Sequence, residues 1–137
     1  MENLSSPPVI PIHTGIDVLL ARKVAREMAV ALGLSTADQT RLATAVSELT
    51  RNVLQYAGSG QCRVTDESDA TIVKIRVEVE DQGPGIPDVE QAMQNGYSTS
   101  GGLGVGLPGT RRLMDEFDIE SKPGATRVMI TMNRRRR

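Results

Sequence analysis

The chain has 137 residues, with 16 Lys and Arg against 17 Asp and Glu, a length suited to a single domain that needs neither a disulfide nor a metal to hold its core. Four of the basic residues form the run Arg134–Arg137, so the rest of the chain is net acidic and a general nucleic-acid-binding role is excluded. One cysteine, one histidine and an aromatic content of 2% exclude an internal disulfide and argue against zinc sites and base stacking. No apolar run reaches the roughly 18 residues of a membrane span, and we expect a cytoplasmic protein that binds neither nucleic acid nor membrane.

The first half of the chain predicts a polar, flexible leader at residues 1–8 and then a strand at residues 9–12. This strand belongs at the edge of a sheet, because Pro11 has no N–H to donate to a second neighbour. Apolar residues recur at helical spacing over residues 17–32, and a glycine ends that run. Ser35, with an acidic residue three positions later, predicts the start of a second helix, which ends near residue 58.

The remaining elements follow from period-2 alternation, helical spacing and clusters of glycine and proline. They are strands at residues 61–66 and 71–80, a short helix at 88–94, a glycine-rich loop at 96–106, a helix at 107–117, and strands at 118–122 and 125–132. This order predicts an α/β fold, a two-layer sandwich with a mixed, mostly antiparallel sheet and helices on one face. One domain then spans residues 9–133, and the last four arginines form a solvated basic tail.

Glu48 and Asn52 are four residues apart on the second helix and therefore share a face, which is offset from its apolar stripe. A carboxylate and an amide that project together can supply a general base and a metal ligand. The alternative is an ordinary solvated polar face, and the pair by itself does not decide between the two.

Asp81-Gln82-Gly83-Pro84-Gly85 follows the end of a strand. An acid followed by two glycines lets the backbone approach a ligand closely, while the carboxylate accepts a hydrogen bond. A plain turn would use the same residue types, so this alternative also stays open.

The segment Gly101-Gly102-Leu103-Gly104-Val105-Gly106-Leu107-Pro108-Gly109 leads into a predicted helix. Glycines leave backbone N–H groups uncovered, and together with a helix N-terminus they can hold phosphates. A flexible linker is the alternative, but linkers rarely contain apolar residues at alternate positions. The letters also match a dinucleotide-binding fingerprint, which is rejected because no strand precedes the segment, and a Walker A loop and the eukaryotic kinase motifs are absent.

Together, Glu48-x-x-x-Asn52, Asp81-x-Gly83-x-Gly85 and Gly102-x-Gly104-x-Gly106 resemble the N, G1 and G2 boxes of the GHKL superfamily of ATPases and kinases, which share the Bergerat ATP-binding fold. The resemblance runs from about residue 12 to residue 132. Within the anti-sigma-factor kinase branch, the chain looks similar to the RsbT-type switch serine/threonine kinases of the bacterial stressosome.

This resemblance implies a role for each motif residue, with ATP and Mg²⁺ as cofactors. Asn52 would ligate Mg²⁺, Glu48 would be the general base, and Asp81 would accept a hydrogen bond from the adenine amino group. The remaining cofactor-binding positions are implied to make room for the base, to cover the phosphates as a lid, or to help hold adenine: Gly83 and Gly85, then Gly102, Gly104 and Gly106, and then Thr126.

The chain departs from the anti-sigma branch in two places. Val53 and Tyr56 stand where that branch often has Ala and His, and the Thr99-Ser100-Gly101 segment lacks the basic residue found near the γ-phosphate. Arg111 is a weak candidate for that missing contact, since a surface arginine is the commoner explanation.

The resemblance implies a kinase that phosphorylates STAS-domain proteins of a stressosome and then, once released, binds and activates a PP2C-type phosphatase. The alternative is an anti-sigma factor, an ATP-gated module that sequesters a sigma factor and phosphorylates its STAS-domain antagonist.

Overall fold

The computed structural model describes residues 8–85, 93 and 106–136. In this part of the chain, strands and helices follow one another in an order close to the predicted one. They are β1 (Val9–Ile12), α1 (Gly15–Ala31), α2 (Thr36–Tyr56), β2 (Gly60–Asp66), β3 (Ile72–Asp81), α3 (Gly106–Leu113), β4 (Glu116–Lys122) and β5 (Ala125–Arg135).

The strands form one sheet in the order β1-β2-β3-β5-β4, and each of these four pairings is antiparallel. The α/β class is confirmed, and so is the edge position of β1. The prediction of a mixed sheet is wrong for the described residues, because neighbouring strands there run in opposite directions throughout.

The core lies between this sheet and the helices. Alternate residues of β3 are buried from Val73 to Val79, as the period-2 pattern requires, and they join a cluster with apolar residues of all three helices. The intervening residues of β3, from Lys74 to Glu80, are half-buried and charged. The sheet therefore has one face under the helices and one polar face, in agreement with the predicted two-layer arrangement.

Local capping explains where the two long helices begin. The Asp17 carboxylate accepts the backbone N–H groups of His13 and Thr14 at 2.8 and 3.0 Å, which places the start of α1 slightly before the predicted residue 17. The Ser35 hydroxyl accepts the N–H of Asp38 at 3.1 Å, so the predicted N-cap of α2 is confirmed.

Two predicted boundaries near the C-terminus are wrong. The helix predicted for residues 107–117 ends at Leu113, because Phe117 pairs with Ile130 and the chain has entered β4 at Glu116. Strand β5 continues to Arg135, which pairs with Ile72, so the last arginines do not all form a solvated tail. The predicted helix at 88–94 and loop at 96–106 lie outside the described residues, apart from Met93 and Gly106.

Arg134 is an ordered part of this structure. Its guanidinium donates to both carboxylate oxygens of Asp38, at 2.8 and 2.9 Å, and to Asp115 at 2.8 Å. These contacts tie the last strand to the first turn of α2 and hold the pKa of Asp38 below its usual range. In the described residues, no helix is long and apolar enough to cross a membrane.

Candidate functional site

The ends of three neighbouring strands bring two of the predicted site residues together. Asp81 is the last residue of β3 and pairs with Gly60 of β2 on one side and with Thr126 of β5 on the other. All three residues are in register with the strand positions that face the helices, and Thr126 is 8% exposed. Sequence positions far apart along the chain therefore form one row at one end of the sheet.

The Asp81 carboxylate is held by the loop that follows it. Its Oδ1 atom accepts the backbone N–H of Gly83 at 2.9 Å, and this is the one hydrogen bond to the carboxylate from the described residues. Partial burial raises the pKa of Asp81, and the N–H of Gly83 opposes that rise. The arrangement leaves Oδ2 as an acceptor for a ligand that can supply an N–H donor.

Gly83 and Gly85 are required by close packing of the backbone. A Cβ on Gly83 would lie 2.6 Å from the Cβ of Ala57 at the end of α2. Gly85 has a φ of +87°, and its Cβ would lie 2.7 Å from the carbonyl oxygen of Lys122. These two glycines bring the loop against α2 and against the turn between β4 and β5, and a role in giving adenine room stays a prediction.

An open cavity of about 730 Å³ lies at this end of the sheet, within the usual range for small-molecule sites. Asp81 and Thr126 line it, together with charged residues that extend toward the polar face of the sheet, among them Lys122 and Arg127. Glu48 and Asn52 are not in its wall. The structure thus gives Asp81 and Thr126 an open cavity that extends mostly along the polar face of the sheet. Glu48 and Asn52 lie on α2, on the other face of the sheet.

The Glu48 side chain is buried, so it does not belong to a solvated polar face of α2. It is 1% exposed, and neither of its carboxylate oxygens has a hydrogen-bond partner within the described part of the chain. The guanidinium of Arg51 lies 3.6 Å from Oε1. A buried carboxylate without hydrogen bonds costs free energy, so Glu48 calls for a partner that the described residues do not supply, such as a water, an ion or a ligand.

Asn52 is half-buried, one helical turn after Glu48 on α2. The next turn of α2 touches the strand ends, because Val53 and Ala57 are the neighbours that a Cβ at Gly60 or Gly83 would meet. Gly106 opens α3 with a φ of +70°. Gly102 and Gly104, the other predicted lid positions, lie outside the described residues.

Two residues at the cavity, Gly60 and Ser121, were not predicted from the sequence. Gly60 has no room for a side chain, since a Cβ there would lie 2.7 Å from Cγ1 of Val53. The Ser121 hydroxyl is hydrogen-bonded to the hydroxyl of Thr126 at 2.7 Å. Neither residue carries a sequence signal of its own, because both acquire their neighbours through strand pairing.

Comparison with known proteins agrees with this geometry. A family model described as "Histidine kinase-like ATPase domain" matches residues 15–132. The chain belongs to this family. The serine/threonine-protein kinase RsbT of Bacillus subtilis is 49% identical over 84% of this chain and 86% of its own, and an anti-sigma F factor of Caldanaerobacter subterraneus is 34% identical over 76% of each chain.

Two solved structures share the fold of this chain. A Mycobacterium tuberculosis protein with RsbU and RsbW domains has a TM-score of 0.62 at 19% identity, covering 93% of this chain and 33% of that one. The catalytic domain of the histidine kinase ThkA has a TM-score of 0.54 at 18% identity, covering 91% and 95%. The 49% identity to RsbT and the family match confirm the resemblance drawn from the sequence, and the chain is a protein serine/threonine kinase of the ATP-binding GHKL type.

The described residues also suit a magnesium ion, although they contain no cluster of three or more His, Cys, Asp or Glu. Mg²⁺ uses few protein ligands beside nucleotide phosphates and prefers oxygen donors. Asn52 offers an amide oxygen, and the buried carboxylate of Glu48, one helical turn earlier on α2, adds a charge that attracts a cation. The residues therefore fit the metal, which would neutralise phosphate charge when bound.

Proposed function

We propose that the chain is a stressosome switch kinase that transfers the γ-phosphoryl group of ATP to a serine or threonine of a STAS-domain protein in the bacterial cytoplasm. The observation that carries this proposal is the buried Glu48 carboxylate, which lacks hydrogen bonds to the described residues and lies one helical turn before Asn52. The 49% identity to RsbT supports the switch-kinase type over other GHKL proteins.

The proposed reaction needs little covalent chemistry from the protein. Asp81 and Thr126 would hold the adenine end of the nucleotide, and Asn52 would ligate Mg²⁺. Glu48 would accept the proton of the acceptor hydroxyl as its oxygen bonds to the γ-phosphorus and the bond to ADP breaks. Positioning and charge neutralisation account for most of the catalysis of phosphoryl transfer, and a general base adds roughly 10²- to 10⁴-fold.

The test is incubation with Mg²⁺-ATP and purified STAS-domain proteins, followed by detection of acid-stable phosphoserine or phosphothreonine. We expect Glu48→Gln to keep nucleotide affinity and to lower the transfer rate by about a hundredfold or more. Glu27→Gln is the matched control, because Glu27 is an exposed glutamate on α1. Wild-type transfer by Glu48→Gln would overturn the assignment of the base.

The downstream part of the proposal is release and activation. After phosphorylation of the STAS protein, the free kinase would bind and activate a PP2C-type phosphatase. Addition of the chain to such a phosphatase should raise its turnover of a phosphoprotein. The Glu48→Gln variant should activate equally, because this step requires binding and no phosphoryl transfer.

A second candidate is an anti-sigma factor, favoured by the 34% identity to an anti-sigma F factor over 76% of both chains. Such a protein would hold a sigma factor in an ATP-dependent complex and phosphorylate the antagonist that displaces it. Co-elution with a sigma factor in Mg²⁺-ATP, without activation of the phosphatase, would favour this second function.

A further inference from the structure

Arg51 is the cationic side chain that the structure places beside the buried Glu48 carboxylate. Its Nη1 atom lies 3.6 Å from Oε1, with 46% of the Arg51 side chain exposed and 2% of the Glu48 side chain. The arginine therefore reaches from the surface of α2 to a carboxylate that water does not reach. In the described residues this is the one ion pair of Glu48.

The same helix contains a second pair with the same spacing. Arg41 follows Asp38 by three residues, has 48% of its side chain exposed, and approaches Oδ1 at 2.8 Å. The Asp38 carboxylate also accepts two hydrogen bonds from Arg134. Its backbone N–H donates to the Ser35 hydroxyl and closes the N-cap. The two pairs differ in two respects. Arg41 donates a direct hydrogen bond to Asp38, whereas Arg51 stays 3.6 Å from Glu48. Asp38 also has other partners, whereas Arg51 is the one ion-pair partner of Glu48 among the described residues.

The distance between Arg51 and Glu48 allows the arginine to orient the carboxylate. At 3.6 Å the guanidinium attracts Oε1 without a direct hydrogen bond, so it can bias the orientation of the carboxylate while both oxygens remain able to accept. A bias toward Oε1 turns Oε2 away from the guanidinium. Orientation of a reacting group matters because a misplacement of about 1 Å can cost a hundredfold in rate.

We propose that Arg51 is a positioning residue for phosphoryl transfer, which holds the Glu48 carboxylate through Oε1 and leaves Oε2 to receive the proton of the acceptor hydroxyl. This inference rests on the proposed function, in which Glu48 is the general base. Arg51 acts through Glu48, so its removal changes the rate of transfer while nucleotide affinity is kept.

The test compares Arg51→Gln, Arg51→Lys and the matched control Arg41→Gln in steady-state transfer to a STAS-domain protein. Arg51→Gln should lower kcat roughly tenfold, with the KM for ATP and the Kd of a fluorescent ATP analogue within about twofold of wild type. Arg51→Lys keeps the charge and should recover kcat to within about threefold. Arg41→Gln should leave kcat within about twofold, because Arg41 lies near the first turn of α2.

A double-mutant cycle with Glu48→Gln separates positioning from direct catalysis. Once Glu48 is neutral, Arg51→Gln should have no further effect on the residual rate, because residues that act as a unit are non-additive. Equal effects of Arg51→Gln with and without Glu48 would overturn the proposal. A fall in nucleotide affinity as large as the fall in kcat would overturn it as well, since Arg51 would then bind phosphate directly.

Thermal unfolding provides a readout that needs no transfer. Arg51→Gln should lower the Tm of the wild-type chain by roughly 3–6 °C, because it leaves a buried carboxylate unpaired, and should change the Tm of the Glu48→Gln variant much less. Absence of this coupling would overturn the positioning contact even where the kinase is active. Coupling in Tm with no transfer by the wild-type chain would overturn the proposed function, and with it the assignment of Arg51 to the reaction.

Discussion

The substitution Asp81→Asn tests the candidate nucleotide site most directly, because it changes one oxygen into a donor. In the structure, the N–H of Gly83 donates to Oδ1 of Asp81 at 2.9 Å. An asparagine must turn its amide oxygen toward that N–H, since an amide NH₂ cannot accept. The NH₂ group then stands where Oδ2 is now, and in the proposed nucleotide complex it would face the adenine amino group, donor to donor.

The magnitude follows from two losses. A hydrogen bond to a charged acceptor contributes about 1.5–3 kcal/mol, and a buried donor without a partner costs about 1–3 kcal/mol. Their sum, roughly 2.5–6 kcal/mol, corresponds to a loss of about seventyfold or more in ATP affinity. The fold should survive, because the bond from Gly83 is kept and because the neutral amide removes the desolvation cost that raises the pKa of Asp81.

The assay is titration with a fluorescent ATP analogue, combined with thermal unfolding of each variant. Asp118→Asn is the matched control, because Asp118 lies exposed on β4 and outside the cavity. We expect Asp81→Asn to lose binding while its Tm stays within about 3 °C of wild type, and Asp118→Asn to change neither. Binding by Asp81→Asn within threefold of wild type would refute the assignment of Asp81 to the adenine amino group.

Three further predictions concern the same structure. Burial raises the pKa of Asp81, so ATP affinity should begin to fall at a higher pH than the titration of an ordinary aspartate would predict. An ATP affinity that stays constant down to the ordinary aspartate range would contradict this. The same pH profile in Asp81→Asn would contradict it as well. Gly85→Ala should destabilise the chain by about 2–3 kcal/mol in urea unfolding, since φ is +87° and its Cβ would meet the Lys122 carbonyl. Arg134→Gln should lower the Tm by roughly 6–12 °C, because two hydrogen bonds to the buried Asp38 are lost. The pKa of Asp38 is lowered in the folded state. The difference in Tm between wild type and Arg134→Gln should therefore be full above the ordinary aspartate range and shrink as the pH falls through the lowered pKa of Asp38. An unchanged Tm at pH 7 would show that Arg134 is a solvated tail residue.

Much of the fold could be predicted because its signals are local. The alternation of β3, the N-cap at Ser35 and the edge position of the strand with Pro11 each depend on a few neighbouring residues, and the structure contains all three. The predicted boundary between α3 and β4 was wrong because it, too, was drawn from local signals alone. The segment before Phe117 continues a helical pattern, and pairing with Ile130 of β5 overrides it.

The candidate site, too, has features that the sequence predicts and features that it does not. The spacing of Glu48 and Asn52 and the position of Asp81 after a strand were visible in the sequence, since each motif is contiguous. Burial of Glu48 was not visible, because a polar residue offset from an apolar stripe is normally solvated and only packing around α2 removes it from water. The role of Arg134 was hidden for a related reason, as its partner Asp38 is 96 residues away.

The sequence by itself determined the net acidic composition, the succession of elements and the three motifs that identify the family, because periodicity, capping and motif spacing are properties of neighbouring residues. Only the tertiary structure decided which of those residues meet. Antiparallel pairing brings Gly60, Asp81 and Thr126 into one row, and packing around α2 removes the Glu48 carboxylate from water. These are long-range consequences of folding, in which each residue acquires its environment from parts of the chain that its own neighbours do not encode.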